Sequence, residues 1–209
     1  MGFRYWALWF LSIIIVCTHV VLLHALSRRS QLERKRSKRK KGTFKLTSPA
    51  FEPGDNIPPL YTCDGQNISP ELQWQHAPMG TQSFVLICHD PDDALAGVKI
   101  QWIVYDIPSS LSALPQRINV AAINAKLGTN SWGRAIYEGP CPPLLVHRYF
   151  FTLYALDIPN LPVEGVPEEK QVTSTMKGHI IGKAVLLGRY QRTKSTLTKA
   201  REHELHTVV

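Results

Sequence analysis

From Phe44 onward the chain alternates short apolar runs with turn-rich segments. The runs Ser83–Cys88, Ile100–Asp106, Arg148–Leu156 and Ala184–Tyr190 are dominated by Val, Ile, Phe and Tyr. Each has strand length, and β-branched and aromatic side chains fit a pleated, half-buried surface. Between them lie PGDNIPP, CDGQNISP, HAPMG, IPSS, GPCPP and IPNLP, where Gly, Pro, Asn and Asp break regular structure for separate steric reasons. Many short strands punctuated this often predict a mainly-β sandwich or barrel. One helical window, Glu168 to His179, precedes the last strand. Residues 44–192 are read as the folded domain and 193–209 as a polar tail with no apolar face, loosely held or a frayed helix.

The N-terminal pattern is different in kind. Tyr5 to Leu26 contains no Asp, Glu, Lys or Arg, and as a helix at about 1.5 Å per residue it is long enough to span a hydrocarbon core of about 30 Å. Residues 1–26 are therefore expected to form one transmembrane helix, with Tyr5, Trp6 and Trp9 at an interface. A cleaved signal peptide is the rival. Against it stand an apolar run longer than usual, a charged leader reduced to Arg4 and a poor small-residue cleavage pattern. Residues 27–43 follow as a basic juxtamembrane linker, a solvated tether attracted to anionic lipid. The positive-inside rule then predicts a cytoplasmic domain, with a periplasmic or secreted one as the alternative if the segment is a signal peptide.

Charge narrows the partner classes. Met1–Thr43 holds ten basic and one acidic residue, so the remainder holds 24 − 10 = 14 basic and 16 − 1 = 15 acidic, a net −1 out of the total +8. The basic character belongs to the appendage, and no nucleic-acid partner is expected of the domain. Cys63, Cys88 and Cys141 remain outside the apolar run, without a CxxC pair, so neither a metal site nor a cofactor is implied. Cys88 falls in an apolar strand as a small hydrophobe. Cys63 and Cys141 sit in loops, where pairing depends on geometry, and a cytosolic domain would keep them reduced.

In GPCPP, Pro140, Pro142 and Pro143 fix φ and remove three backbone donors, making a stiff wall. Cys141 with His147 suggests a nucleophile and base, but no orienting Asn or Asp and no oxyanion donors accompany them. GxSxG, Walker and GxGxxG signatures are absent from the sequence, and no enzyme activity is expected.

The motifs carry more in order than singly. TCDGQNISPELQW (Thr62–Trp74), SFVLICHDPD (Ser83–Asp92), IQWIVYDIP (Ile100–Pro108), GPCPP and HRYFFTLYALD (His147–Asp157) follow one another. The ordered set resembles the phosphatidylethanolamine-binding protein family, which includes Raf kinase inhibitor protein, and above all its bacterial YbhB/YbcL-type branch. The resemblance spans about Phe44 to Arg192. It implies a sandwich of two antiparallel sheets with a small pocket near one end that takes phosphate-like anions. Carried over, the lining falls on Asp90, Gln101, Gly139, His147 and Tyr149, with Asp92 nearby and Pro140 in the same wall.

In elementary terms His147 and Tyr149 offer donors, a glycine backbone permits close approach, and Asp90 suits a partner that orients the imidazole. His89, by strand alternation, faces away from Asp90. Two departures fall at the pocket mouth: DPDDALAG lacks a second proline, and Gln101 stands where the family has histidine. The expectation is a non-catalytic, membrane-anchored domain binding small phosphorylated or other anionic ligands resembling phospholipid head groups. The alternative is a regulatory, kinase-inhibitor-like protein that binds a protein partner.

Overall fold

The computed structural model describes residues 23–24, 26–29, 31, 42–93 and 97–193. The chain divides into two compact units, Met1–Gly42 and Thr43–Val209. In the first, residues 23–24, 26–29 and 31 are helical. Most of the expected membrane segment lies outside the described residues, as does the tail beyond Thr193. Among the described residues no helix is long and apolar enough to cross a membrane.

The second unit is built from two antiparallel sheets. β1 (Lys45–Thr47), β2 (Leu72–Gln75) and β5 (Ala113–Leu114) form the smaller, in the order β1-β2-β5. The larger runs β6-β4-β3-β7-β8, with β3 Ser83–Asp90, β4 Lys99–Pro108, β6 Lys126–Leu127, β7 His147–Leu156 and β8 Ile180–Tyr190. The four expected strands are β3, β4, β7 and β8, each extended by one to four residues. The expected helix is α1, Glu169–Met176, shorter by three residues at its C-terminal end. Glu168 caps it through a reciprocal capping box with Gln171, which satisfies two orphan donors of the first turn.

β3 shows why the apolar run is unbroken. Phe84, Leu86 and Cys88 enter the core between the sheets with Leu46, Trp74, Trp102, Tyr149 and Phe151. Val85 and Ile87 enter a second core with Ile103, Tyr105, Leu161, Val172 and Met176, supplied partly by α1. Both faces of the strand are buried, so alternation disappears from its sequence. Each such side chain contributes about 1.5–3 kcal/mol of burial. The stability of β3 and its neighbours β4 and β7 makes their common end a rigid platform.

Candidate anion-binding site

That common end gathers the last residue of β3, the first turn of β4 and the start of β7. At the β3–β4 junction Cys88 pairs Trp102 while His89 pairs Ile100, leaving Gln101 without a partner of its own. Such a bulge re-aims a side chain. Ile103 lies in the outer core with Ile100 packed against it, Trp102 lies in the inner core, and Gln101 is buried at 3% exposure. Its carbonyl accepts the Glu138 N–H at 3.0 Å, which ties β4 to the Gly139–Pro143 wall.

Asp90 and His147 meet directly, Nδ1 to Oδ2 at 2.8 Å. Both are buried, and the carboxylate orients the imidazole as expected. Asp90 Oδ1 accepts the Asp92 N–H at 2.8 Å, closing the turn of the DPD motif. Tyr149 is fully buried. Its phenol lies beside the Asp90 carboxylate and the Cys141 backbone, and its pKa is pushed up, first by burial and then by the Asp90 charge. The Tyr149 hydroxyl, close to Asp90 and the Cys141 backbone, and Gln101 Oε1 are both buried without a well-formed hydrogen bond. His89 stacks on Phe150 with ring centroids 5.4 Å apart, apart from this cluster.

Two of the expected lining residues are engaged within the protein. The Gly139 N–H is already donated to Asn67 Oδ1 at 2.7 Å and is not free for an anion. Glycine is required there because a Cβ would collide with the Tyr61 carbonyl and lie 2.9 Å from Thr62 Cα. Asp92 is held by Arg148, whose Nε and Nη2 donate at 2.9 and 2.7 Å and whose backbone N–H donates at 2.9 Å. These bonds hold the Asp92 carboxyl down at about 2, against partial desolvation.

A folded-state pKa below the unfolded one stabilises above the unfolded value and is lost as pH falls through the folded value. An Asp92→Asn variant should therefore lose a little stability, below about 1 kcal/mol for this partly exposed pair, at pH 6. The difference from wild type should shrink as pH falls from about 4 towards 2, read by urea denaturation at pH 6 and pH 2.5.

The wall itself is anchored by a bond the sequence left open and by residues it did not single out. Cys63 and Cys141 form a disulfide with Cα atoms 5.4 Å apart. The Cys63 N–H donates to Pro140 O at 3.1 Å, Tyr137 Oη donates to Tyr61 O at 2.8 Å, and Pro140 is buried in the wall. The disulfide removes the Cys141 thiol as a nucleophile. Asn67, in the left-handed region at φ 54°, was signalled only as part of CDGQNISP.

Among the described residues no three His, Cys, Asp or Glu side chains gather to hold a metal ion. A separate cavity of about 570 Å³ is lined by Asn56, Ile57, Pro58, Pro59, Val146 and Tyr190, with Arg192 beside them. It carries less chemistry than the Asp90 cluster, because Arg192 is neutralised by Asp64 at 2.9 Å and Tyr190 donates to the same carboxylate at 2.8 Å.

Residues 47–191 match the family described as phosphatidylethanolamine-binding protein, and the chain belongs to that family. It is 44% identical over 155 residues to the UPF0098 protein of Aquifex aeolicus, covering 71% of this chain and 89% of that one. Against the UPF0098 protein YbhB of Escherichia coli it is 37% identical over 131 residues, 58% of this chain and 83% of that one. Among solved structures, a phosphatidylethanolamine-binding protein homologue from Chlamydia trachomatis aligns with a TM-score of 0.67 at 40% identity, over 72% of this chain and 99% of that one. Escherichia coli YbcL, described as a new member of the mammalian family, aligns with a TM-score of 0.68 at 27% identity, over 73% and 100%.

Proposed function

We propose that the Thr43–Val209 unit is a non-catalytic binding module for small oxyanions, phosphorylated head groups among them, and that the apolar segment and basic linker attach it to a membrane. The observation that carries the reading is the buried Asp90–His147 pair beside two polar atoms, Gln101 Oε1 and the Tyr149 hydroxyl, that have no partner of their own. Buried polar groups are rarely left unsatisfied, and each that is costs free energy until something bonds it. A ligand at this end of the sheet would supply that partner. With both ring nitrogens protonated, His147 donates one N–H to Asp90 and can donate the other to the anion, and the Tyr149 hydroxyl can donate as well.

The test is calorimetric titration of inorganic phosphate. His147→Gln should weaken binding at least about tenfold, the size of one lost charge-assisted hydrogen bond. Equal affinity in wild type and variant would sink the assignment. Because His147 is buried, its thermal unfolding must be followed alongside, and Gln is chosen to fill the space.

Membrane attachment rests on the sequence of residues 1–43. For the side on which the domain lies, two observations pull apart. The basic flank favours the cytoplasm, whereas a disulfide persists in oxidising compartments; the Cys63–Cys141 bond supports the non-cytoplasmic placement. One feature favours the protein-partner alternative: Leu144, Leu145 and Val146 are exposed in sequence just before His147, an apolar tip beside the site. Under that reading a captured partner would stay bound to His147→Gln.

A further inference from the structure

The exposed tip at Leu144, Leu145 and Val146 is one part of a larger surface. Among the described residues, six of the eleven exposed large apolar side chains of the Thr43–Val209 unit gather at one end of the larger sheet: Val98, Trp132, Ile136, Leu144, Leu145 and Val146. Backbone connections put them there. Val98 leads into β4 and Val146 into β7. The loop carrying Trp132 and Ile136 is stitched to the start of β4, with Ser131 N–H donating to Ile100 O at 2.9 Å, Ile100 N–H to Ser131 Oγ at 2.8 Å and Glu138 N–H to Gln101 O at 3.0 Å. Both loops are held in shape. Buried Asn130 accepts the Trp132 and Arg134 N–H groups, and the leucine tip follows the disulfide-tied proline wall, with Leu145 at φ 61°. A leucine in that region is strained and stays so only where its surroundings impose it, as at ligand-contacting loops.

The charges at this end are sorted by depth. The side chains of Asp64, Asp90, Glu138 and Asp92 are at most 23% exposed, and Asp93 is half-buried. Arg192 stays inward with Asp64 and His147 with Asp90, while burial and then Lys183 lower the His89 pKa. By contrast Arg134 and Arg148, which pair with Glu138 and Asp92, are 55 and 53% exposed. Arg189 is exposed opposite Arg148 on β8, and Lys99 lies over the Trp132 ring at 5.8 Å. What this end presents to its surroundings is therefore apolar tips among cationic heads. A protein interface has a core depleted of charge and shaped to its partner. A bilayer surface instead accepts convex apolar loops, favours tryptophan at headgroup depth and pairs basic heads with phosphate. The tether is long enough. Residues 27–43 reach about 56–61 Å when extended, against about 34 Å for a ten-residue strand, although Phe44 enters beside Phe84 at the far end of β3.

We propose that this rim is a second, lipid-docking surface, resting on the reading that the chain is attached to a membrane. Leu144 and Leu145 enter the boundary between head groups and acyl chains, Trp132 lies at headgroup level, and Lys99, Arg134 and Arg148 meet lipid phosphates. The tethered domain thereby keeps one face to the bilayer, with its Asp90–His147 end toward the head groups.

The test uses the full chain in vesicles of equal parts phosphatidylcholine and phosphatidylglycerol, with and without bromine on the acyl chains. Trp132 is read as the fluorescence difference between wild type and Trp132→Phe, in which buried Trp74 and Trp102 cancel, as do Trp6 and Trp9 of the apolar segment. Brominated chains should cut the Trp132 signal at least about twofold, as fits the depth of about 5–10 Å that interfacial apolar groups reach. Leu144→Ser combined with Leu145→Asn removes the apolar tip and puts at φ 61° a residue that tolerates the left-handed region. That variant should lose the quenching while still floating with the vesicles. Should it misfold, the wild-type quenching decides by itself. A wild-type chain that floats with Trp132 unquenched would overturn the docking and leave the attachment standing; a chain that does not float would overturn both. Unquenched Trp132 together with a dimer that the double variant dissolves would give the rim to a second copy. With a cross-linked partner protein that the double variant loses, the rim would pass to the protein-partner reading.

Discussion

Replacing Cys63 and Cys141 together by serine is expected to destabilise the domain by about 3–4 kcal/mol while leaving its site intact. The bond closes a loop across a sequence separation of 78, for which the chain-entropy estimate is about 4.5 kcal/mol of constraint on the unfolded state. The folded state keeps other ties between the same segments: Cys63 N–H to Pro140 O, Gly139 N–H to Asn67 Oδ1 and Tyr137 Oη to Tyr61 O. The loss therefore falls mainly on the unfolded chain. With a slope of about 2 kcal/mol per molar urea, the midpoint should drop by about 1.5–2 M, and phosphate affinity should change little. A loss under about 1 kcal/mol would mean that the bond constrains nothing the fold does not already hold. Cys88 offers no rival pairing, being fully buried with its thiol pKa raised. The same bond can be read in cells: trapping thiols at lysis should leave Cys63 and Cys141 unlabelled, and labelling of both would contradict the bond.

Gly139→Ala is expected to act oppositely, harming the site as much as the fold. The added Cβ would meet the Tyr61 carbonyl, Asn67 Oδ1 at 2.7 Å and Thr62 Cα at 2.9 Å. Two of these are backbone, in a loop fixed by the disulfide and by the bond from Thr62 N–H to Pro59 O at 3.0 Å, so neither side can move cheaply. Overpacking of this kind costs about 1–3 kcal/mol, occasionally more. Relief comes by pushing the wall outward, which breaks the Gly139–Asn67 bond and moves the Cys141 backbone away from Tyr149. Phosphate affinity should fall at least about tenfold, together with a lower unfolding temperature. A variant that keeps wild-type affinity would show that the wall does not shape the site.

How much of this was legible in the sequence depends on where the specifying interactions lie. β3, β4, β7 and β8 were readable because each is long and apolar enough to carry its own signal. β1, β2, β5 and β6 were not, since strands of two to four residues exist only through their partners: Leu46 opposite Trp74, Leu72 opposite Leu114. The motif order placed Asp90, Gln101, His147 and Tyr149 at one end of the large sheet, where the strands do bring them.

What the sequence could not give is how each group is already spent. The Asp92 carboxylate goes to Arg148, the Gly139 N–H to Asn67 and the Cys141 thiol to Cys63. These contacts join residues 56, 72 and 78 positions apart, and no local pattern encodes them. His147 is buried because Asp90 offers its ring a partner in the interior.

The central claim, that anions bind at the Asp90–His147–Tyr149 end and not in the Asn56–Arg192 cavity, is tested most directly by mapping amide shifts of the ¹⁵N-labelled protein during a phosphate titration. The account predicts that the responding amides are those of Asp90, Gln101, Cys141, His147 and Tyr149, saturating together. Shifts confined to Asn56, Ile57, Tyr190 and Arg192, or none at all, would contradict it.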